Sequence, residues 1–152
     1  MSFLRSEKKL NQKILFNGME YNVNGHYIRP LSDIDAISDC CGHAWIIYES
    51  KFDNALPPIG QKILLENMIR DLSRSGKPAI AVICSHEIKD PAKDIYLANS
   101  IVTAYYMPLS GWKYKDKDYT TPYTAKSFTE LFLKRYAPNM LKAPGNKKGF
   151  SR

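Results

Sequence analysis

The chain has 152 residues, 44% of them hydrophobic and 24% charged, with a net charge of +7; it is long enough for one domain with a core and too apolar for wholesale disorder. Three cysteines, two of them adjacent at Cys40-Cys41, and the scattered histidines His26, His43 and His86 give neither a disulfide framework nor the paired ligand spacing of zinc. No apolar run is long enough to span a bilayer, and Met1-Ser2-Phe3-Leu4-Arg5-Ser6 leads into lysines rather than a signal-peptide stretch, so a cytoplasmic protein without a membrane role is expected.

Leu10, Ile14 and Leu15, set among lysine and glutamine, predict a short helix over Ser6 to Phe16. From Met19 to Pro30 the chain is rich in Tyr, Asn and Gly, and Asn22-Val23-Asn24-Gly25-His26 reads as a turn between short extended pieces. Two candidate strands follow, Leu31 to Ile37 and His43 to Lys51, separated by the turn-like Ser38-Asp39-Cys40-Cys41-Gly42. A hairpin centred on Gly42 sets Ile37 opposite Ile47, Asp35 opposite Glu49 and Asp33 opposite Lys51. Directly opposed residues point to one face, and Glu49 and Lys51, two apart, share it. Two carboxylates and an ammonium group then converge, an arrangement that repels itself unless a cation sits between the acids.

Pro57-Pro58 stops the second strand, and Lys62 to Arg74 reads as a helix ending near Gly76. On a helical wheel Leu64, Leu65, Met68, Ile69 and Leu72 gather on one side, with Ile63 the exception and Gln61 near the middle of that apolar side. Ala79-Ile80-Ala81-Val82-Ile83-Cys84 is an uninterrupted small and β-branched run, the pattern of a central parallel strand covered on both faces. Strand, helix and strand in that order make a βαβ crossover. His86 stands at the end of the buried strand, where α/β sheets often present site residues, although a structural histidine is the more common finding.

Ile101 to Met107 is compatible with a helix from Pro91, but its β-branched and aromatic content favours a strand paired with Trp112-Lys113-Tyr114 across Leu109-Ser110-Gly111. The aromatics here, interleaved with Lys113, Lys115 and Lys117, suit base stacking along a phosphate track. The plainer reading is a hairpin with aromatics covering one face and lysines solvated on the other. Ser127-Phe128-Thr129-Glu130 has capping-box spacing for a last helix that stops before Pro138. Lys142, Lys147, Lys148 and Arg152 close the chain with no acid among them. The expected organisation is therefore a single domain over 1–141 and a basic, flexible tail over 142–152, a composition compatible with nucleic-acid or anionic-surface binding.

Phosphodiester hydrolysis at neutral pH needs a nucleophilic hydroxide and relief of charge on the phosphoryl oxygens, and bound Mg²⁺ supplies both. Magnesium takes one or two carboxylates and keeps several waters, so Asp35, Glu49 and the backbone carbonyl of Ser50 make a plausible half-shell, with Mn²⁺ as a substitute. Lys51 would then orient the nucleophile and stabilise the transition state.

At these residues the chain resembles the PD-(D/E)XK nuclease superfamily, whose pattern is an acid on one strand, an acid-x-lysine triplet on its antiparallel neighbour, and then a helix. Glu49-Ser50-Lys51 matches the triplet. Asp35, followed by Ala36-Ile37, resembles the first acid as it stands in Holliday-junction resolvases and related repair nucleases, with Asp33 as the competing choice. Gly60-Gln61 resembles the glycine-glutamine pair of the RecB-like branch, although Leu65 stands where that branch has a tyrosine. The likeness covers about Pro30 to His86 and extends to nuclease-like proteins of phage and mobile elements. It implies a restriction-endonuclease-like α/β fold with an αβββαβ core, a mixed sheet flanked by helices, and catalytic Asp35, Glu49, Lys51 and Gln61. Asp33 and His86 would be accessory.

The resulting expectation is a Mg²⁺-dependent deoxyribonuclease, with DNA as partner, RNA also compatible, and a homodimer in keeping with cutting two strands. It would work in a bacterial or phage-infected cell. The competing hypotheses are a noncatalytic nucleic-acid-binding or assembly protein on the same scaffold, and an unrelated α/β domain whose Glu49 and Lys51 form a surface pair worth under about 1 kcal/mol.

Overall fold

A tight left-handed turn sets the register around the candidate site. In this computed structural model, which describes residues 15, 17–28 and 32–142, Cys40, Cys41 and Gly42 all have positive φ, at 45°, 54° and 83°. Non-glycine residues resist that conformation, and neighbouring groups hold them in it. The Ser38 hydroxyl accepts the Cys40 N–H at 3.1 Å, the Asp39 carboxylate accepts the Cys41 N–H at 3.1 Å, and Cys40 is buried in the core.

The chain divides into two compact units, Met1–Asp33 and Ile34–Arg152. In the first, strands β1 (Tyr21–Val23) and β2 (His26–Ile28) form an antiparallel hairpin with Val23 opposite His26. Its two-residue turn, Asn24-Gly25, has positive φ at both positions (51° and 82°), the geometry that matches strand twist and that Asn-Gly tolerates best. The helix expected over Ser6 to Phe16 lies outside the described residues except for Leu15, as does the tail beyond Lys142.

The second unit is an α/β structure built on one mixed five-stranded sheet, in the order β3-β4-β5-β6-β7. Strand β3 (Ala36–Ser38) runs antiparallel to β4 (Trp45–Phe52), with Ala36 opposite Tyr48, Ile37 opposite Ile47 and Ser38 opposite Ile46. This is the register expected for a hairpin centred on Gly42. Of the predicted Leu31 to Ile37, Leu31 lies outside the described residues and the strand begins only at Ala36, because aspartates fit strands poorly and the Asp35 carboxylate bonds the facing strand; it runs on to Ser38.

Helix α1 (Ile59–Ser73) starts three residues ahead of the predicted Lys62. Pro58 caps it, its carbonyl accepting the Lys62 N–H at 2.9 Å, and a proline at a helix start forfeits no helical bond. Leu65 and Ile69 are fully buried and Ile63 is exposed, as the wheel requires. The crossover delivers β5 (Ala79–His86), parallel to β4 and buried from Ala79 to Ser85. Strand β6 (Ile101–Met107) pairs antiparallel with β5 and then with β7 (Gly111–Tyr114), confirming the strand reading of this segment.

Helix α2 (Ala125–Tyr136) is capped by Thr124, whose hydroxyl accepts the Ser127 N–H at 3.1 Å while Ser127 Oγ accepts the Thr124 N–H at 3.0 Å. The capping box therefore lies three residues earlier than the predicted Ser127-x-x-Glu130. A short helix, α3 (Pro138–Lys142), follows Ala137, so Pro138 interrupts the helical path without ending it.

Strand alternation divides the core. Ile47, Ile83 and Ala104 meet Leu65 and Ile69 of α1 on one face, while Ile46, Val82 and Val102 meet Phe128 and Phe132 of α2 on the other. Two strands of the sheet precede the crossover helix, while β1 and β2 pair with each other in the first unit. Among the described residues no helix is long and apolar enough to cross a membrane.

Ile69, with 0% exposure, anchors α1 to the sheet. Ile69→Ala is expected to cost about 2–5 kcal/mol in denaturant unfolding. A loss below about 1 kcal/mol would mean that α1 does not depend on this contact.

Candidate functional site

Because Ile47 packs beneath α1, alternation along β4 turns Glu49 and Lys51 to the same face, at the level of the first turn of α1. The strand thus carries a carboxylate into the edge of a hydrophobic layer, and Glu49 is only 4% exposed. Lys51, one pleat further out, places Nζ 3.5 Å from Glu49 Oε1.

Asp35 precedes β3 directly, and its Oδ2 accepts the Ser50 N–H at 2.7 Å. In an antiparallel ladder a residue's N–H and C=O face the same neighbour, so the Ser50 carbonyl also faces the edge on which Asp35 stands. With β3 ended at Ala36, that stretch of β4 lies beyond the ladder.

Electrostatics tie these residues together. Burial pushes the Glu49 carboxyl above its ordinary value, and the negative charge of Asp35 pushes it the same way. The Gln61 amide and the Lys51 ammonium act in the opposite direction and do not cancel the rise. Asp35, Glu49, Lys51 and Gln61 thus form one interacting group, reached from β3, β4 and α1.

Polar atoms are left over. Glu49 Oε2 and Gln61 Oε1 are buried without a hydrogen-bond partner among the described residues, as is Ser50 Oγ. Each such atom costs about 1–3 kcal/mol in an unliganded protein, and orphaned acceptors side by side mark a place for a donor or a cation. No group of three or more His, Cys, Asp or Glu that could hold a metal occurs among the described residues. Two carboxylates and a backbone carbonyl are instead the donor set of a hard divalent ion that keeps part of its water shell.

The other candidates have their own surroundings. Asp33 is exposed, lies outside β3 and belongs to the first unit. His86 packs its ring against Phe52 at 5.7 Å and accepts the Ile88 N–H on Nδ1 at 3.1 Å. The three lysines do not make one track. Lys113 stands on the opposite face of β7 from Trp112 and Tyr114, Lys115 pairs with Asp116 at 3.0 Å, and Lys117 lies over the Tyr114 ring.

The structure adds a lash that no local pattern announces. Lys62 donates to Tyr114 Oη at 2.8 Å and sits over the Trp112 ring, while Trp112 Nε1 donates to Glu66 Oε2 at 2.6 Å. These bonds fasten the first two turns of α1, and with them Gln61, to β7. The sequence signal is the pair of aromatics Trp112 and Tyr114, which gives no hint of partners 46 and 52 residues away.

Compared with known proteins, the chain matches no family model, no curated protein and no solved structure.

Because the native Glu49 pKa lies above its ordinary 4.5, the folded state binds more protons than the unfolded state between the two values. Stability without added metal therefore falls as pH rises from about 4.5 through the native pKa. Glu49→Gln should raise the melting temperature near pH 7 in EDTA and remove this dependence. Mg²⁺ should stabilise the wild type increasingly with pH and leave Glu49→Gln unchanged. A variant less stable than the wild type in EDTA would contradict the assignment of a strained, buried acid.

Proposed function

We propose that the chain is a metal-dependent deoxyribonuclease of PD-(D/E)XK type. The observation that carries this reading is a buried carboxylate, Glu49, with an orphaned oxygen, under the charge of Asp35 from just before the adjacent strand and with Lys51 at 3.5 Å. The antiparallel pair β3–β4 followed by a helical crossover to the parallel strand β5 is also what a restriction-endonuclease-like core needs around its acids.

Asp35, Glu49 and the Ser50 carbonyl are the groups that would hold Mg²⁺, or Mn²⁺ in its place, and the unpaired Glu49 Oε2 fits that assignment. When bound, the ion supplies positive charge for the phosphoryl oxygens and lowers the pKa of a water. Asp35, fixed by the Ser50 N–H, keeps one carboxylate oxygen tied to the strand and the other free for ligation. Lys51 holds a compact positive charge on the face where a phosphodiester would lie, suited to orienting a water and offsetting charge in the transition state. Gln61, held by the lash on Lys62, offers an amide beside Glu49 for positioning.

DNA is the substrate that this reading favours, with RNA as the alternative polymer. Its setting would be phage or mobile-element DNA processing, repair or recombination. Purified protein should nick supercoiled plasmid with Mg²⁺ or Mn²⁺ and not with EDTA. Glu49→Ala and Lys51→Ala, shown to be folded by circular dichroism, should each lose about 10²-fold or more in rate. Cleavage that survives both substitutions would remove this mechanism.

A further inference from the structure

Beyond Lys51 the carboxyl ends of β4 and β5 open into a pocket of about 520 Å³, within the size range of small-ligand sites. Lys51 pairs with Ser85 and Phe52 with His86 across the ladder, and Ser85 and His86 both line the pocket. Its wall therefore begins one strand-spacing, about 4.8 Å, from the lysine of the proposed site.

The lining chemistry selects among the parts of a nucleic acid. Glu87 and Asp94 contribute two acids, while the Lys115 ammonium on the same wall already lies 3.0 Å from Asp116. A phosphate inside would be repelled, whereas a neutral ring system would not. Asn54 and Asn99 each bring an amide with both donor and acceptor, the pairing that reads a base edge. With Nδ1 of His86 accepting the Ile88 N–H, Nε2 is the ring nitrogen left as a further donor. Tyr96 stands on the wall with 69% exposure, a ring face large enough to stack on a base.

We infer that this pocket receives an unpaired nucleobase beside the scissile phosphate, so that the substrate is DNA with a single-stranded or extruded nucleotide at the cut. The identity of the neighbouring phosphate rests on the nuclease reading; the base-binding chemistry does not. Stacking on a protein ring, and access to the Watson–Crick edge of a base inside a pocket, require a base that has left the duplex, which sets flaps, junctions and single strands above intact duplex as substrates.

The test uses the full chain in EDTA and a short single-stranded oligonucleotide carrying one fluorescent base analogue, with a blunt duplex of the same sequence as comparison. Wild-type protein should quench the analogue and bind the single strand about tenfold more tightly than the duplex. Tyr96→Ala should lose the quench and weaken single-strand binding by about tenfold or more, and Tyr96→Phe should keep both. Equal binding of the two DNAs, or a Tyr96→Ala variant that binds and quenches like the wild type, overturns the inference. EDTA removes divalent ions, so catalysis does not enter these readouts. Base-dependent binding without any cleavage on adding Mg²⁺ would remove the nuclease reading and keep the pocket. Equally fast cutting of blunt duplex and flap DNA by the wild type, or a flap preference that Tyr96→Ala leaves unchanged, would remove the pocket and keep the nuclease.

Discussion

A carboxylate placed where water hardly reaches it, with a second carboxylate nearby, is the constraint around which the second unit is organised. Glu49 occupies a position that alternation along β4 assigns to the face under α1, where Ile47 precedes it and Ile83 stands across the ladder. Burying an acid in such a layer is unfavourable unless something meets its charge, and Lys51 at the rim meets only one of its two oxygens. Nothing in packing alone calls for an acid at this position. A leucine or isoleucine would fill it at less cost, which is why the residue is read as chemistry rather than architecture.

The rest of the local structure delivers partners to that carboxylate. The left-handed turn through Cys40, Cys41 and Gly42 fixes where β3 meets β4, and a slip of one residue would turn every side chain of β3 to the other face. Asp35 is held at the strand start by a side-chain bond to the Ser50 backbone, which couples the first acid to the triplet that contains the second. From the opposite direction, the Lys62–Tyr114 and Trp112–Glu66 bonds hold the first turns of α1 against β7, keeping Gln61 beside Glu49. Residues from before β3, from β4 and from the start of α1 therefore all act on one buried carboxylate.

Much of this geometry is legible in the residue order. Alternation along β4 leaves few registers that bury Ile47, and the observed pairing is the one centred on Gly42, with Ile37 opposite it on the exposed edge strand. The wheel of α1 and the continuous apolar run of β5 are similarly unambiguous, since each follows from a single periodicity. What fails to read depends on choices between equivalent local bonds. Thr124-x-x-Ser127 and Ser127-x-x-Glu130 share the same spacing, and only the bridge between Ile101 and Thr124 helps select the first. The span of β3 was overstated because an aspartate side chain can replace a ladder bond. The lysines at 113, 115 and 117 looked like one track because their spacing of two suggests a common face, but β7 ends at Tyr114 and the chain then turns at Asp116, where φ is 67°. The lash on α1 and the pocket past Lys51 are products of tertiary assembly, and no window of sequence contains them.

The account stands on Asp35 and Glu49 sharing one divalent ion. Anomalous diffraction from crystals grown with Mn²⁺ addresses this directly. A peak within coordination distance of an Asp35 oxygen, Glu49 Oε2 and the Ser50 carbonyl, lost in Asp35→Asn crystals, is the expected result. A map with no peak there while Mn²⁺ occupies other sites, or with Lys51 Nζ swung in to satisfy Glu49 Oε2 instead, would contradict it.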